Sequence, residues 1–260
     1  MTSTIGIIGV GEIARAIVTG LLGKPAPGDA PLIYLSPRNL AIAQQLAERH
    51  SNVQLCSSNQ AVVDSARILL LTVRPADLDD ALETLRVPDD RIIVSAAAGV
   101  STVRLRRKLH TQATIVRAIP LPAVQRRLGV TAIHPPHPEV AQLFGPLGGT
   151  LSVDDAETFD AVQASTATIS THLRLLEASA TWLSKHGVPT ADAENYVRDL
   201  FVGVSAGLAD GSLTLSDLVA AHETAEGINE HLARTWFTTT NSRALSGALD
   251  ETYARLVRDR

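Results

Sequence analysis

Residues 4–14 read Thr4-Ile5-Gly6-Ile7-Ile8-Gly9-Val10-Gly11-Glu12-Ile13-Ala14, and residues 15–22 continue with apolar side chains at helical spacing. A short β-branched run that meets glycines and passes directly into a helical pattern predicts a strand, a tight turn and a helix. Gly9 permits the turn, Gly11 keeps the approach to the helix free of a Cβ, and Ala14 lets the helix lie close to the strand. The unpaired amides at the helix start, at Glu12 and Ile13, together with the positive end of the helix dipole, favour a phosphate above the turn. An ordinary βα turn can carry the same glycines, so it is the strand before and the helix after that make this a candidate pyrophosphate site.

Outward from this turn the alternation continues. Residues 32–35, 68–73, 91–96, 114–119, 130–133 and 150–153 read as further strands, and residues 13–22, 40–49, 76–85, 103–109 and 139–144 as helices. Alternation of this kind builds a parallel sheet wrapped by helices. His134-Pro135-Pro136-His137-Pro138 is read as a rigid loop, because each proline lacks an amide donor and fixes its own backbone angle. Beyond residue 153 strand signals stop. One long helix is expected from Asp154 or Asp155 towards His186, ended by Gly187-Val188-Pro189, with further helices over 191–209, 214–221, 227–237 and 242–257. The expectation is an α/β fold in two domains: a Rossmann dinucleotide-binding domain over 1–153 and an all-helical domain over 154–260 that completes the substrate pocket.

Composition narrows the partners. Apolar residues make up 45% of the 260, charged ones 19%, and the net charge is -4. No basic tract interleaved with aromatics is present to follow a nucleic-acid backbone, so nucleic acid is not expected as a partner. No run approaches the roughly 20 apolar residues of a membrane span, and no signal peptide is read at the start, so no membrane association is expected. The single cysteine, Cys56, forms no intrachain disulfide and builds no thiolate cluster; a cytoplasmic location is the reading.

The end of the second strand decides which dinucleotide fits. An acidic side chain there would accept hydrogen bonds from the ribose hydroxyls of NAD, whereas this chain has Ser36-Pro37-Arg38. A hydroxyl and a guanidinium suit a 2′-phosphate, which points to NADP(H). The alternative is that Arg38 is an exposed charge at a helix start.

With Val73-Arg74-Pro75 after the third strand signal and Ser95-Ala96-Ala97-Ala98-Gly99-Val100 after the fourth, these residues resemble the pyrroline-5-carboxylate reductase family. Arg117-Ala118-Ile119-Pro120 is similar to the family's Arg-x-Met-Pro segment. Residues 159–178, with Glu177 matching a glutamate, occupy the place of its first interdomain helix. The resemblance implies a Rossmann domain, a helical domain that forms an intertwined homodimer, and hydride transfer from the nicotinamide to a cyclic imine carbon. It also implies that Gly9, Gly11, Ser36, Arg38, Asn59, Thr72, Val73, Arg74, Pro75, Ala96, Ala97 and Ala98 line the cofactor. Asn59 could equally cap a helix, and the alanines could be close-packing spacers.

Departures concentrate where that family binds its substrate. Leu121-Pro122-Ala123 stands for Asn-Thr-Pro, and Ser165-Thr166-Ala167-Thr168-Ile169-Ser170-Thr171 for Ser-Gly-Ser-Gly-Pro-Ala-Tyr. The loop that cradles the imino-acid carboxylate becomes Thr224-Ala225-Glu226-Gly227-Ile228-Asn229, where Glu226 would repel a carboxylate unless it turns away or is protonated. His172 lies one helical turn beyond Thr168 and is the candidate proton donor, because histidine exchanges protons near neutral pH; a hydrogen-bonded interface histidine is the alternative. Asn229 is the candidate to help hold substrate.

The leading expectation is NADP-dependent reduction of the C=N bond of a small imine. A 3-hydroxyacid-type dehydrogenase acting on C=O shares the two-domain plan but needs a lysine, and Lys24, Lys108 and Lys185 are not placed for it. A non-catalytic NADP-binding protein is the third reading. No metal site is expected: His134 and His137 sit in a proline-stiffened loop without a neighbouring carboxylate or thiolate, and His222-Glu223 lacks the second histidine of a zinc-protease helix.

Overall fold

The computed structural model describes residues 4–23 and 30–258; Lys24 lies outside them. Strands β1 (Thr4–Ile8), β2 (Leu32–Leu35), β3 (Val53–Leu55), β4 (Ile68–Leu71), β5 (Ile92–Ser95), β6 (Thr114–Ile119), β7 (Thr131–His134) and β8 (Thr150–Ser152) form one sheet in the order β3-β2-β1-β4-β5-β6-β7-β8. From β3 to β6 every neighbouring pair is parallel. The fold is α/β, with a Rossmann-like sheet followed by helices, as the alternation of patterns implied.

Side chains alternate between two cores, one on each face. Ile5, Ile7, Ile33, Leu35, Ile68, Leu70, Ile92 and Val94 pack with α1 (Glu12–Leu22), α2 (Leu40–Arg49) and α6 (Pro138–Phe144). Ile8, Leu69, Leu71, Ile93 and Ile115 pack with α3 (Asn59–Ser65), α4 (Leu78–Leu82) and α5 (Thr102–Leu109). A sheet covered on both faces needs apolar residues at consecutive positions, which is why β4 and β5 read as unbroken runs, Ile-Leu-Leu-Leu and Ile-Ile-Val-Ser. Gly6 is required by this packing: a Cβ there would lie 2.6 Å from the Val62 side chain of α3.

Several elements differ from the sequence expectation. β3 was not anticipated, and α3 only as a helix that Asn59 could cap. β3 has only three residues, of which Val53 alone is buried, so no periodicity can emerge from it. β7 runs antiparallel to β6, pairing Ile119 with Ala132, because residues 120–130 return the chain to the same end of the sheet without a covering helix long enough for a crossover. That return is tied to α1 by Arg127, whose guanidinium donates from Nε to Gly20 O (3.0 Å) and from Nη2 to Gly23 O (2.6 Å). The expected long helix is instead two, α7 (Ala156–Ser165) and α8 (Thr168–Lys185). At the break the hydrogen bonds tighten to three-residue spacing, Ala167 N to Ala164 O and Ile169 N to Thr166 O, while the Thr168 hydroxyl donates to Ser165 O. Short-reach hydroxyl residues offer the backbone these local alternatives to a continuous helix.

The chain forms two compact units, one of residues up to 163 together with those from 253 onward, the other of residues 164–252. The first extends ten residues past the last strand signal because α7 belongs with the sheet: Phe159 is buried beside Ile119, Ala132 and Val153. Beneath it Asp160 and Arg117 form a buried ion pair at 2.5 Å, with the guanidinium carbon 4.4 Å from the Phe159 ring centre.

In the second unit α8 ends at Gly187, whose φ of +96° is open to glycine, and Pro189 precedes α9 (Thr190–Leu208). Ala180, Ala193 and Val197 are buried between α8 and α9, flanked by Leu176, Leu183, Val188 and Phe201. Helices α10 (Leu215–His222), α11 (Ile228–Trp236) and α12 (Thr239–Val257) follow. A capping box at Thr214 and Asp217 starts α10.

Candidate functional site

Sequence order reverses across the sheet between β1 and β4, and in open α/β sheets the crevice outside the carboxyl ends of the strands at such a point is where ligands bind. Here the loops after β2, β1 and β4 meet. Gly9 has φ +94°, and a Cβ on it would collide with the Val73 side chain and come within 2.7 Å of the Val73 amide nitrogen, so this position tolerates glycine alone. Gly11, the residue preceding α1, faces open space, with nothing within 4 Å of where its Cβ would stand. The amides of Glu12 and Ile13 follow at the helix start, and the Glu12 side chain is turned to Arg15, with which it pairs. The pattern fits a pyrophosphate drawn down onto α1.

The neighbouring loops hold this turn. Ser36 is fully buried; its amide donates to Ile7 O (3.0 Å) and its hydroxyl accepts from the Gly9 amide (3.1 Å). The serine expected to face a phosphate is therefore turned inward, as a support of the glycine turn. Thr72 does the same from the other side, donating from Oγ1 to Gly9 O (2.7 Å) and from its amide to Ile8 O (2.9 Å). Asn39, in the left-handed region at φ 63°, donates from its side-chain amide to Val10 O (3.0 Å).

Arg38 is exposed and reaches across to Asp77, Nη2 to Oδ1 3.0 Å, while Arg74 Nε meets the other oxygen at 2.7 Å. The Asp77 carboxyl is held below its ordinary value, first by the hydrogen bond from Arg74 and then by Arg38. Val73 is buried and Pro75 opens the short 3-10 turn Pro75–Asp77. After β5, the Ala96 amide extends the ladder to Leu71 O (2.9 Å), Ala97 is buried and Ala98 exposed. Asn59 takes neither of its two expected roles plainly: Ser58 caps α3 by accepting from Ala61 N, and the Asn59 side chain donates to Ala81 O (3.1 Å).

The two candidate catalytic residues lie in the helical unit. His172, on α8, is exposed and sets its ring edge-on to Phe201 of α9, 5.4 Å between centres. Asn229 donates from its side-chain amide to His222 O (2.9 Å), closing the loop between α10 and α11. In that loop Glu226 is left-handed at φ 59°, and its amide donates to the Glu230 carboxylate (2.6 Å). An amide of this loop is thus already satisfied by the protein's own carboxylate. Among the described residues no group of three or more histidines, cysteines or carboxylates could hold a metal ion, and no helix is long and apolar enough to cross a membrane.

Sequence reasoning missed Asp77 and Asp160. Neither belongs to a recognised motif; besides the local pair of Asp77 with Arg74, each meets an arginine brought to it by the fold, 39 residues away for Asp77 and 43 for Asp160.

Comparison with known proteins agrees with this geometry. A family model described as NADP oxidoreductase coenzyme F420-dependent matches residues 4–99. Pyrroline-5-carboxylate reductase 1 of Dictyostelium discoideum is 26% identical over 231 residues, 81% of this chain and 40% of that protein. Pyrroline-5-carboxylate reductase of Pasteurella multocida is 36% identical over 121 residues, 45% of this chain and 43% of that protein. The matched region spans less than half the length of these two curated relatives. The crystal structure of 1-pyrroline-5-carboxylate reductase from Streptococcus pyogenes superposes with a TM-score of 0.75 at 25% identity, covering 97% of this chain and 99% of that one. In sequence and in fold the chain is thus similar to pyrroline-5-carboxylate reductases.

Proposed function

We propose that this protein is an NADP-dependent oxidoreductase that reduces the C=N bond of a small imine. The observation that carries the reading is the glycine turn at the strand-order reversal, clamped by Ser36 and Thr72, with Arg38 exposed beside it at the end of β2. Amides of Glu12 and Ile13 bind the pyrophosphate, and Arg38 meets the 2′-phosphate. Val73, Arg74, Pro75 and residues 96–98 border the same crevice. When bound, the reduced nicotinamide supplies hydride to the imine carbon. His172 delivers the proton that the nitrogen requires, and its exposure on α8 lets it recover that proton from solvent. Asn229, whose side-chain amide also closes the α10–α11 loop, helps to hold the substrate.

Pyrroline-5-carboxylate itself is disfavoured as substrate by the carboxylates of Glu226 in that loop and Glu230 in the first turn of α11, where like charges would meet. Leu173, Trp182, Leu200, Val202, Ile228 and Trp236 are exposed on the helical unit, and a second copy of the chain that covers such faces makes a homodimer the natural assembly. The lone cysteine suits a reducing compartment, in keeping with the cytoplasm.

Oxidation of NADPH in the presence of a panel of cyclic imines and keto acids tests the reaction, and calorimetric titration tests the site. Turnover of a cyclic imine that is lost in Gly9→Ala supports both; NADPH binding without turnover of any substrate leaves a binding protein; no binding removes the reading altogether. Turnover that survives His172→Ala unchanged removes the proton-donor assignment alone.

A further inference from the structure

We infer that Asp77 sets the choice between NADPH and NADH by competing with the ribose 2′-phosphate for Arg38. The inference rests on the dinucleotide site proposed above and deepens it. Asp77 is the least exposed member of the cluster. It closes the 3-10 turn Pro75–Asp77, its amide donates to Arg74 O (2.9 Å), and the next residue, Leu78, is buried at 1% exposure. Its side chain is 22% exposed, whereas those of Arg38 and Arg74 are 53% and 81% exposed. Two largely exposed guanidinium groups therefore converge on one less exposed carboxylate, each on its own oxygen.

Arg38 is anchored at its backbone, since Asn39 beside it is tied to Val10 O within the glycine turn. A 2′-phosphate with a charge of about −1.5 to −2 arriving at Arg38 must displace the carboxylate or settle beside it against like-charge repulsion. A 2′-hydroxyl meets no such opposition, and can instead donate a hydrogen bond to Asp77, the role an acid plays at the end of β2 in NAD-binding sites. Arg38 favours NADPH; Asp77, supplied from β4's loop and invisible to a motif read at β2, narrows that preference.

The test is the ratio of NADH to NADPH dissociation constants in Asp77→Asn and Asp77→Ala, measured by titration of the full chain. Loss of one partially exposed competing charge is expected to tighten NADPH about threefold to fivefold, with NADH unchanged or weaker. Asp79→Asn is the control: it removes an equal charge two residues on, from a pair with Arg104, and is expected to leave the ratio unchanged. If the Asp77 variants weaken NADPH as much as NADH or more, Asp77 orders the arginines and the inference falls. It falls too if Asp79→Asn shifts the ratio equally. Wild-type protein that binds neither dinucleotide overturns the site and this inference together, whereas binding with an immovable ratio overturns this inference alone.

Discussion

In the sheet unit every residue of β4 and nearly all of β1, β5 and β6 are buried, whereas in the helical unit the two longest packed helices, α8 and α9, fully bury only Ala180, Ala193 and Val197. One half closes its core within itself. The other carries Trp182, Tyr196, Val202 and Ile228 on its surface, the last 87% exposed. The difference teaches that burial is divided along the chain: a sheet with helices on both faces satisfies its apolar strands locally, while α8 to α11 leave large apolar side chains exposed.

The sharpest way to break this contrast is at Arg117. Its pair with Asp160 lies inside the sheet unit, so Arg117→Ala removes the guanidinium paired with a carboxylate that is 1% exposed, and a loss of about 3–5 kcal/mol in unfolding free energy is expected from chemical denaturation. Arg117→Met with Asp160→Leu should recover most of it, since the pair then leaves no charge behind. A double variant as unstable as the single one would show that the ion pair organises more than its own pocket.

Next in size, the helical unit should depend on concentration and the sheet unit should not. If a second copy covers the exposed helices, each tenfold rise in protein concentration adds about 1.4 kcal/mol to a dimer's apparent stability, visible as a rising thermal midpoint and as a dimer in sedimentation. A midpoint that is flat over two decades, with a monomer in the ultracentrifuge, would erase the proposed division.

The smallest effect belongs to caps. Thr214→Ala is expected to cost ~1 kcal/mol through loss of the α10 capping box, read as reduced protection of residues 215–222 in hydrogen exchange. Its partner Asp217 has a carboxyl held below its ordinary value, first by the Thr214 hydroxyl and then by the Thr214 amide. A depressed folded pKa means the stabilisation is complete above the unfolded value and fades as pH falls through the folded one. Protection of α10 should therefore be level from pH 7 to 5 and decline only in stronger acid; a decline near pH 6 would contradict the cap.

Much of the first half was legible because its signals are local. Strands of four to six apolar residues, a glycine turn and an N-cap each announce themselves within a short window. What stayed hidden was whatever depends on distance. Val53–Leu55 is a strand only because β2 lies beside it, and β7 reverses only because the chain before it is short. At the site, sequence placed Gly9, Thr72 and Arg38 together, yet the inward turn of Ser36 and the reach of Asp77 to Arg38 follow from how β1, β2 and β4 stand side by side. The helical half was legible as helices and opaque as a surface, since the break at Thr166 carries no proline or glycine to mark it.

Arg127 gives α1 a fixed far end. Its guanidinium grips Gly20 O and Gly23 O, at the helix terminus where the dipole is negative and a cation is welcome. The β6–β7 connection is thereby tied to the rear of α1, about 16 Å along its eleven residues from the amides that open the helix.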